Sequence, residues 1–375
     1  MRAGDTVARM SGDEFVVLLP GAGRRAAIRV SEKIRDSLRP AFAVGGYELV
    51  ATASIGISLF PEHGTSADAL LKSADVAMYH AKLQGRDHHR LYVTAMDAGA
   101  AESLALEGAL RRALESEALT LHYQPIVEVA SGRIRAVEAL IRWRHPQLGL
   151  VWPADFIPLA EVAGLIHPIS SWVLRTVCQQ AKAWHLNGHP DLVITVNLSA
   201  RQFHKPDLAS LVADILREAG LPPRFLELEI TESYAVQDAP SALATLQELK
   251  RLGVRIAIDD FGAGYTSLAY LKRFPIDTLK IDGSLLREVD SDRKDAAVAA
   301  ALISMAHNLG LQVVAEGIET EDQRAFLQAQ GCDCIQGFLY SHPLPAEECE
   351  ALLEENLHEN RGPKDPQHTL AWSHR

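Results

Sequence analysis

The sequence predicts an α/β fold in which a TIM-like (βα)8 barrel follows a partial α/β domain. Two observations lead to this prediction. From residue 119 onward, eight short apolar segments alternate with amphipathic helical patterns over about 250 residues, which is the usual length and rhythm of such a barrel. Before that point the apolar segments are fewer and would form only a thin sheet, which is marginal for an independent domain.

The elements of the N-terminal region follow from hydrophobic periodicity. Apolar residues recur at helical spacing in two stretches, and short apolar runs bounded by Gly and Pro mark the strands. The predicted strands are 15–19 and 50–59, and the predicted helices are 24–38 and 66–84. Residues 94–118 are rich in Ala, Glu and Leu, and they predict a helix that leads into the barrel.

The barrel strands are read from apolar segments of four to eight residues. They are expected at 119–123, 134–141, 192–196, 225–230, 254–258, 278–281, 312–315 and 334–338. Helical patterns lie between most of them, for example at 241–252 and 296–309. The predicted domains are therefore 1–93 and 106–357, joined by a connecting helix at 94–105. The polar, proline-containing stretch 358–375 predicts a disordered tail.

The composition excludes several classes of protein. The 375 residues are 47% hydrophobic, yet no run approaches the roughly 18 apolar residues of a membrane span, and the N-terminus lacks a signal-peptide core. We therefore expect a cytoplasmic protein. The formal net charge of −11 argues against a surface that coats nucleic acid. The four cysteines are too scattered for a disulfide framework and are expected to be buried thiols.

Polar side chains interrupt the predicted barrel strands near their carboxyl ends. These side chains are Glu138, Asn197, Glu229, Asp259, Asp260, Lys280, Glu316 and Gln336. A single carboxylate in a buried strand is usually structural, because it must be paired or bound to a metal to offset its lost hydration. Seven successive strands with such residues are harder to explain in that way. Because the carboxyl ends of barrel strands converge on the catalytic face, the pattern indicates an active site.

The types of side chain in this set indicate its chemistry. Carboxylates with one asparagine, and neither cysteine nor histidine, form a hard oxygen site that suits magnesium or manganese better than zinc. The adjacent Asp259 and Asp260 can bridge and flank two metal ions about 3.5–4 Å apart, an arrangement used for attack of water on phosphodiesters. Metal ions would also offset the repulsion between these carboxylates and a phosphate substrate.

The same residues occur in motifs that resemble the EAL domain family of c-di-GMP phosphodiesterases, over about 106–357. The tripeptide that gives the family its name is Glu138-Ala139-Leu140, and Arg142 follows it. The other matching segments are Tyr123-Gln124-Pro125-Ile126, Phe156-Ile157-Pro158, Val196-Asn197-Leu198-Ser199, Glu229-Ile230-Thr231-Glu232, Asp259-Asp260-Phe261-Gly262, Leu279-Lys280-Ile281-Asp282, Ala315-Glu316-Gly317-Ile318-Glu319 and Gln336-Gly337-Phe338. So many motifs in one order make a specific match. One departure is Gly283, at a position where a larger residue is common, and it lies outside the ligand set.

The resemblance implies a role for each residue of the site. One metal would be held by Glu138, Asn197, Glu229 and Asp259, and the second by Asp259, Asp260 and Glu316. Lys280 would contact the nucleophilic water, and the catalytic group would comprise Lys280, Glu316, Asp260 and Glu138. The substrate contacts would be Gln124, Leu140, Arg142 and Gln336. Glu232 and Glu319 would support a mobile loop at 261–267. The implied reaction opens c-di-GMP to linear pGpG.

Residues 1–93 resemble only the second half of a GGDEF diguanylate cyclase domain. Ser11-Gly12-Asp13-Glu14-Phe15 stands at the signature, with Ser11 in place of its first glycine. The earlier half of that domain, with its first metal aspartate and guanine contacts, is missing, so we do not expect a competent cyclase. Arg2 and Asp5 match the family's inhibitory c-di-GMP site, although an Arg-x-x-Asp pair is also common by chance.

Two rival hypotheses remain beside an active phosphodiesterase. In the first, the barrel binds c-di-GMP without cutting it and signals through a partner; the complete ligand set favours the enzyme. In the second, the N-terminal region provides a dimerising or regulatory surface, because its missing half would leave an apolar side exposed. The resemblance implies a homodimer formed through the EAL domain, with c-di-GMP as the substrate and no nucleic-acid polymer as a partner.

Overall fold

The computed structural model describes residues 4–38, 42–44, 47–49, 51–83, 87–203, 205, 207–231, 239–262, 271–289 and 292–359. The chain forms two compact units. The first comprises Met1–Glu115 with Ala154–Leu165, and the second comprises Ser116–Pro153 with Ile166–Arg375. The mixed α/β class and the barrel are as predicted from the sequence. All four cysteines are free and buried.

The first unit combines short strands with longer helices. Its elements are β1 (Thr6–Ser11), β2 (Glu14–Leu18), α1 (Arg24–Leu38), β3 (Phe42–Val44), β4 (Tyr47–Leu49), β5 (Ile55–Ile57), α2 (Ala67–Leu83), β6 (His89–Leu91), α3 (Ala95–Leu114) and most of α4 (Pro153–Val162). β1 pairs with β2 and β3 with β4 in antiparallel fashion, and β5 pairs in parallel with β6. A Cβ atom at Gly56 would lie 1.8 Å from the Ala74 carbonyl oxygen, so only glycine lets β5 approach α2 this closely.

The second unit contains the barrel. Its elements are β7 (Leu119–Glu128), β8 (Ile134–His145), β9 (Gly149–Val151), α5 (Ile166–Leu186), β10 (Val193–Asn197), α6 (Ala200–Phe203), α7 (Leu208–Ala219), β11 (Leu226–Thr231), α8 (Ala239–Leu252), β12 (Arg255–Phe261), β13 (Thr278–Ile281), α9 (Arg293–Asn308), β14 (Gln312–Ala315), α10 (Glu321–Ala329), β15 (Cys334–Ile335), β16 (Leu344–Pro345) and α11 (Ala346–Glu359). Eight of these strands close the barrel in the order β7-β8-β10-β11-β12-β13-β14-β15, with β15 pairing back to β7.

One barrel strand runs against the others. The seven barrel strands other than β7 are parallel to one another, whereas β7 is antiparallel to its neighbours β8 and β15. The reason is the connection: residues 129–133 join β7 to β8 by a short turn, and a parallel crossover needs a dozen residues or more. The regular strand–helix repeat predicted from the sequence is therefore broken at its first step.

The barrel interior is polar at both ends: at the N-terminal end, where the parallel strands begin, and at the carboxyl end, where they finish, which is called the mouth here. Glu227 lies near the start of β11, and its Oε2 atom accepts hydrogen bonds from Arg255 Nε at 2.9 Å and from Thr278 Oγ1 at 2.9 Å. Arg255 Nη2 in turn donates to Gln312 Oε1 at 2.9 Å. This network joins four strands at the end of the barrel away from the candidate site, where barrel residues serve stability.

We expect Glu227→Ala to destabilise the barrel by about 3 kcal/mol, because it leaves the Arg255 guanidinium without its carboxylate partner inside the protein. Urea unfolding followed by tryptophan fluorescence measures this loss. The matched control is Arg217→Ala, which breaks the exposed Arg217–Asp214 ion pair and should leave the midpoint unchanged. Equal midpoints for the two variants would show that the buried network contributes nothing.

Candidate functional site

The carboxyl ends of the parallel strands bring the predicted polar residues together. They are Glu138 of β8, Asn197 of β10, Glu229 of β11, Asp259 and Asp260 of β12, Lys280 of β13, Glu316 directly after β14 and Gln336 directly after β15. Their burial decreases toward the mouth. Glu138 and Glu229 are buried, Glu316 is half-buried, and Asn197 and Asp260 are exposed. The site therefore has a buried floor, which contains Glu138 and Glu229, and a solvent-exposed rim, which contains Asn197 and Asp260.

Lys280 lies at the centre of the floor, with a relative exposure of 1%. Its Nζ atom lies near one carboxylate oxygen from each of four residues: 2.7 Å from Glu316, 2.8 Å from Glu229, 3.3 Å from Glu138 and 3.4 Å from Asp259. Burial alone would lower the pKa of Lys280, but these carboxylates together raise it well above its ordinary value. The lysine is thus a fixed positive charge.

One ammonium group does not neutralise the surrounding acids. Burial, and then repulsion by Glu138, raises the pKa of Glu229 well above its ordinary value. Burial raises the pKa of Glu316 to about 8, and burial with the Asp259 charge raises that of Asp260 to about 6. Glu138 differs. Burial would raise its pKa, but Lys280 and hydrogen bonds from Gln336 and Asn197 outweigh it and lower the value. The site is short of positive charge.

The residues present fit divalent cations. Asp259, Asp260 and Glu316 each offer a carboxylate oxygen, and these oxygens lie within 4.8 Å of one another. The buried Glu229 Oε1 and Asp259 Oδ1 atoms accept no hydrogen bond from any described residue. Oxygen donors of this kind suit magnesium or manganese.

A β-bulge places both aspartates at the same mouth. Adjacent residues of a regular strand point to opposite faces, so Asp259 and Asp260 would not share a site. The register between β12 and β13 shifts after Ile258 and resumes at Phe261, and Asp260 has a φ of 54°. A left-handed backbone at a residue other than glycine is uncommon, and bulges of this kind redirect side chains next to active sites.

Glu138 is held by a chain of amides. Asn197 Nδ2 donates to Glu138 Oε1 at 2.6 Å, and Gln336 Nε2 donates to Glu138 Oε2 at 2.7 Å. Gln336 Nε2 also donates to Gln124 Oε1 at 3.1 Å, and Gln124 Nε2 donates to the Ser341 carbonyl at 3.2 Å. Because the NH2 group of Asn197 faces Glu138, its carbonyl oxygen is the atom left to bind a ligand.

Gly337 fixes the position of this chain at its far end. A Cβ atom there would lie 2.0 Å from the Ile318 carbonyl oxygen, so the segment that carries Gln336 packs directly against the backbone that follows Glu316.

Arg142 and Leu140 continue the face of β8 that carries Glu138, since alternate residues of a strand share a face. Leu140 is half-buried and lies opposite His122 of β7. Arg142 has a relative exposure of 2%, and its Nη1 atom donates to the Ile141 carbonyl at 2.9 Å. Its Nε atom is buried and has no hydrogen-bond acceptor among the described residues.

Two aromatic side chains near the mouth were not predicted as site residues. Trp152, which follows β9, is 52% exposed, and Phe338, which follows Gln336-Gly337, is 54% exposed. The Phe338 ring contacts His342 with centroids 4.1 Å apart. Because β9 was not predicted, Trp152 had no predicted position in the fold. For Phe338 the available signal was its place two residues after a predicted site residue.

Some predicted residues cannot be placed at the site. Arg2, Glu232 and residues 263–267 of the predicted loop lie outside the described residues. Asp5 is half-buried in the first unit. Glu319 is exposed, and its amide donates to Gln323 Oε1 at 2.9 Å at the start of α10. The regulatory site and the loop support therefore stay predictions.

Comparison with protein families gives two matches. The profile of the EAL domain matches residues 107–343, and that of the diguanylate cyclase, GGDEF domain, matches residues 1–88. Among the described residues, no helix combines the length and apolarity required to cross a membrane.

Individual proteins resemble the chain over most of its length. It is 46% identical over 353 residues to the bifunctional diguanylate cyclase/cyclic di-GMP phosphodiesterase MucR of Pseudomonas aeruginosa, covering 94% of this chain and 52% of that protein. It is 42% identical over 357 residues to the cyclic di-GMP phosphodiesterase NbdA of the same organism, covering 95% and 45%. The chain thus spans about half the length of these relatives. A solved structure described as the PaMucR phosphodiesterase in complex with c-di-GMP is 48% identical, with a TM-score of 0.64, and covers 65% of this chain and 99% of that one.

Proposed function

The chain belongs to the EAL domain family, and from this premise we propose that it hydrolyses one phosphodiester bond of cyclic di-GMP to give linear pGpG. The observation that carries the proposal is the cluster of carboxylate oxygens around Lys280, which come from Glu138, Glu229, Asp259 and Glu316. The names of the relatives and the c-di-GMP complex of the similar structure support the same substrate.

Six residues would hold two metal ions. Glu138, Asn197, Glu229 and Asp259 would bind one ion, and Asp259, Asp260 and Glu316 would bind the other. When bound, magnesium or manganese would lower the pKa of water and offset the charge of the phosphate. The Oε1 atom of Glu229 supports this assignment, because it is buried and has no donor among the described residues, which is costly for an acceptor.

The remaining residues would position the substrate and the nucleophile. Lys280 would donate a hydrogen bond to the attacking water while keeping the four carboxylates in place. Arg142 would contact a phosphate of the substrate with its guanidinium group, and the side chain of Leu140 would pack against the substrate. Gln124 would act mainly through the chain that holds Glu138, because both polar atoms of its amide are engaged there. Gln336 donates to Glu138 through Nε2, and its Oε1 atom, which has no donor among the described residues, would be the atom left for the substrate.

The GGDEF-family region would not act as a cyclase in this chain. Its signature begins with Ser11 where the family has glycine, at the β1–β2 turn where Ser11 pairs with Glu14. A regulatory role through Asp5 and Arg2, a homodimer through the EAL domain and a cytoplasmic location stay predictions from the sequence.

We expect the purified protein to convert c-di-GMP to pGpG in magnesium or manganese buffer, and chelation of the metal to reduce turnover to background. Restoring either ion should restore the rate, because the carboxylates need a divalent cation to accept a phosphate. Chromatography of the nucleotide products measures this. A protein that binds c-di-GMP but releases it intact in both metals would be a receptor, and the catalytic proposal would be wrong.

A further inference from the structure

We propose that Trp152 is a stacking platform for a purine base of the substrate, held in place by Arg142. The inference rests on the proposed function, because it assigns a further binding residue to the same mouth. It concerns the half of the substrate that lies away from the carboxylates.

The first observation is the contact between the two side chains. The Arg142 guanidinium carbon lies 4.3 Å from the centroid of the Trp152 ring. Arg142 is 2% exposed, whereas Trp152 is 52% exposed. The guanidinium therefore covers one face of the indole, and much of the ring remains open to solvent. A cation over one face also fixes the orientation of the ring at little entropic cost.

The second observation is the position of this pair. Glu138, Leu140 and Arg142 lie on the same face of β8, so Arg142 is four residues beyond a metal-site carboxylate. At the rise of a β-strand this is about 13 Å, which is within the span of a dinucleotide whose phosphate lies at the carboxylates. β9 pairs with this end of β8, with Val151 opposite Trp143. Trp152 follows Val151 directly and is therefore placed beside Arg142.

The chemistry of the platform favours a base over other groups. The face of an indole offers no hydrogen bond, but it stacks well on a planar π-system, and base–aromatic stacking contributes to binding for every base. The guanidinium adds charge where a neighbouring phosphate would pass, and its buried Nε atom has no acceptor among the described residues. The half-buried Leu140 lies between the platform and Glu138, where it would contact the sugar.

The test compares Trp152→Ala and Trp152→Phe in steady-state hydrolysis of c-di-GMP. Loss of stacking should raise the KM of Trp152→Ala about 5- to 150-fold and leave kcat within about twofold, whereas Trp152→Phe should retain most of the affinity. Leu148→Ala is the matched control, since Leu148 is exposed on the same β8–β9 hairpin and should leave KM unchanged. An unchanged KM in Trp152→Ala would overturn the proposal.

A second measurement separates this proposal from the catalytic one. Wild type and Trp152→Phe are mixed with c-di-GMP in a stopped-flow instrument, and tryptophan fluorescence follows binding before the first turnover. Quenching in the wild type that is lost in Trp152→Phe would support the platform, even if no turnover were found with any metal. Turnover in the wild type with equal quenching in both proteins would show that the base lies elsewhere, while the proposed function stood.

Discussion

Glu138→Ala should lower kcat for c-di-GMP hydrolysis by at least about 1,000-fold, equivalent to about 4 kcal/mol of transition-state stabilisation. The size of the effect follows from the position of the side chain. Its carboxylate accepts hydrogen bonds from Asn197 and Gln336 and lies 3.3 Å from Lys280. The substitution would therefore remove a proposed metal ligand and release three groups that this carboxylate contacts. Single-turnover assays at saturating metal measure the rate.

The control for this prediction is Glu227→Gln. Both glutamates point into the barrel and are almost fully buried, but Glu227 lies at the N-terminal end, where it accepts from Arg255 and Thr278. We expect its kcat to match that of the wild type. If Glu138→Ala kept more than a tenth of the wild-type rate, Glu138 would not hold a metal required for catalysis.

The contrast between these two residues also shows what a sequence can determine. In Leu226-Glu227-Leu228-Glu229, both acids interrupt an apolar strand and share a face. Only Glu229 lies near the carboxyl end of β11, and that direction identifies the catalytic end of a parallel barrel. The convergence of Glu138, Lys280 and Glu316 could be predicted for the same reason, because it follows from strand direction alone.

What the sequence could not determine depends on local backbone geometry. Periodicity predicted the bounds of α1 and of β13. It did not reveal that β7 runs antiparallel, because the predicted strand ended at residue 123, whereas β7 continues to Glu128 and leaves only a short turn before β8. Strict alternation would have separated Asp259 from Asp260, and only the left-handed backbone at Asp260 unites them. Trp152 was missed because β9 has only three residues, too few for a periodic signal.

Lys280→Met should make the stability of the protein depend strongly on divalent metal. Without metal, the variant leaves four carboxylates within a few ångströms of one another without the ammonium group between them, and removing one partner of a buried ion pair costs about 3–5 kcal/mol. The melting temperature in a chelating buffer should fall by about 6–20 °C. Millimolar magnesium or manganese should recover much of that loss, because a divalent ion supplies the missing charge. Differential scanning fluorimetry with and without metal measures the shift.

Lys250→Met is the matched control for this experiment. Lys250 also forms an ion pair, with its Nζ atom 2.8 Å from Asp277, but the pair is partly exposed and lies away from the mouth. Its melting temperature should fall in both buffers alike. A metal-induced shift that is equal in Lys280→Met and in the wild type would mean that the ions do not share the carboxylates that surround Lys280. Metal-saturated Lys280→Met should still turn over slowly, because metal would restore the positive charge among the carboxylates but not the ammonium group that we propose orients the attacking water.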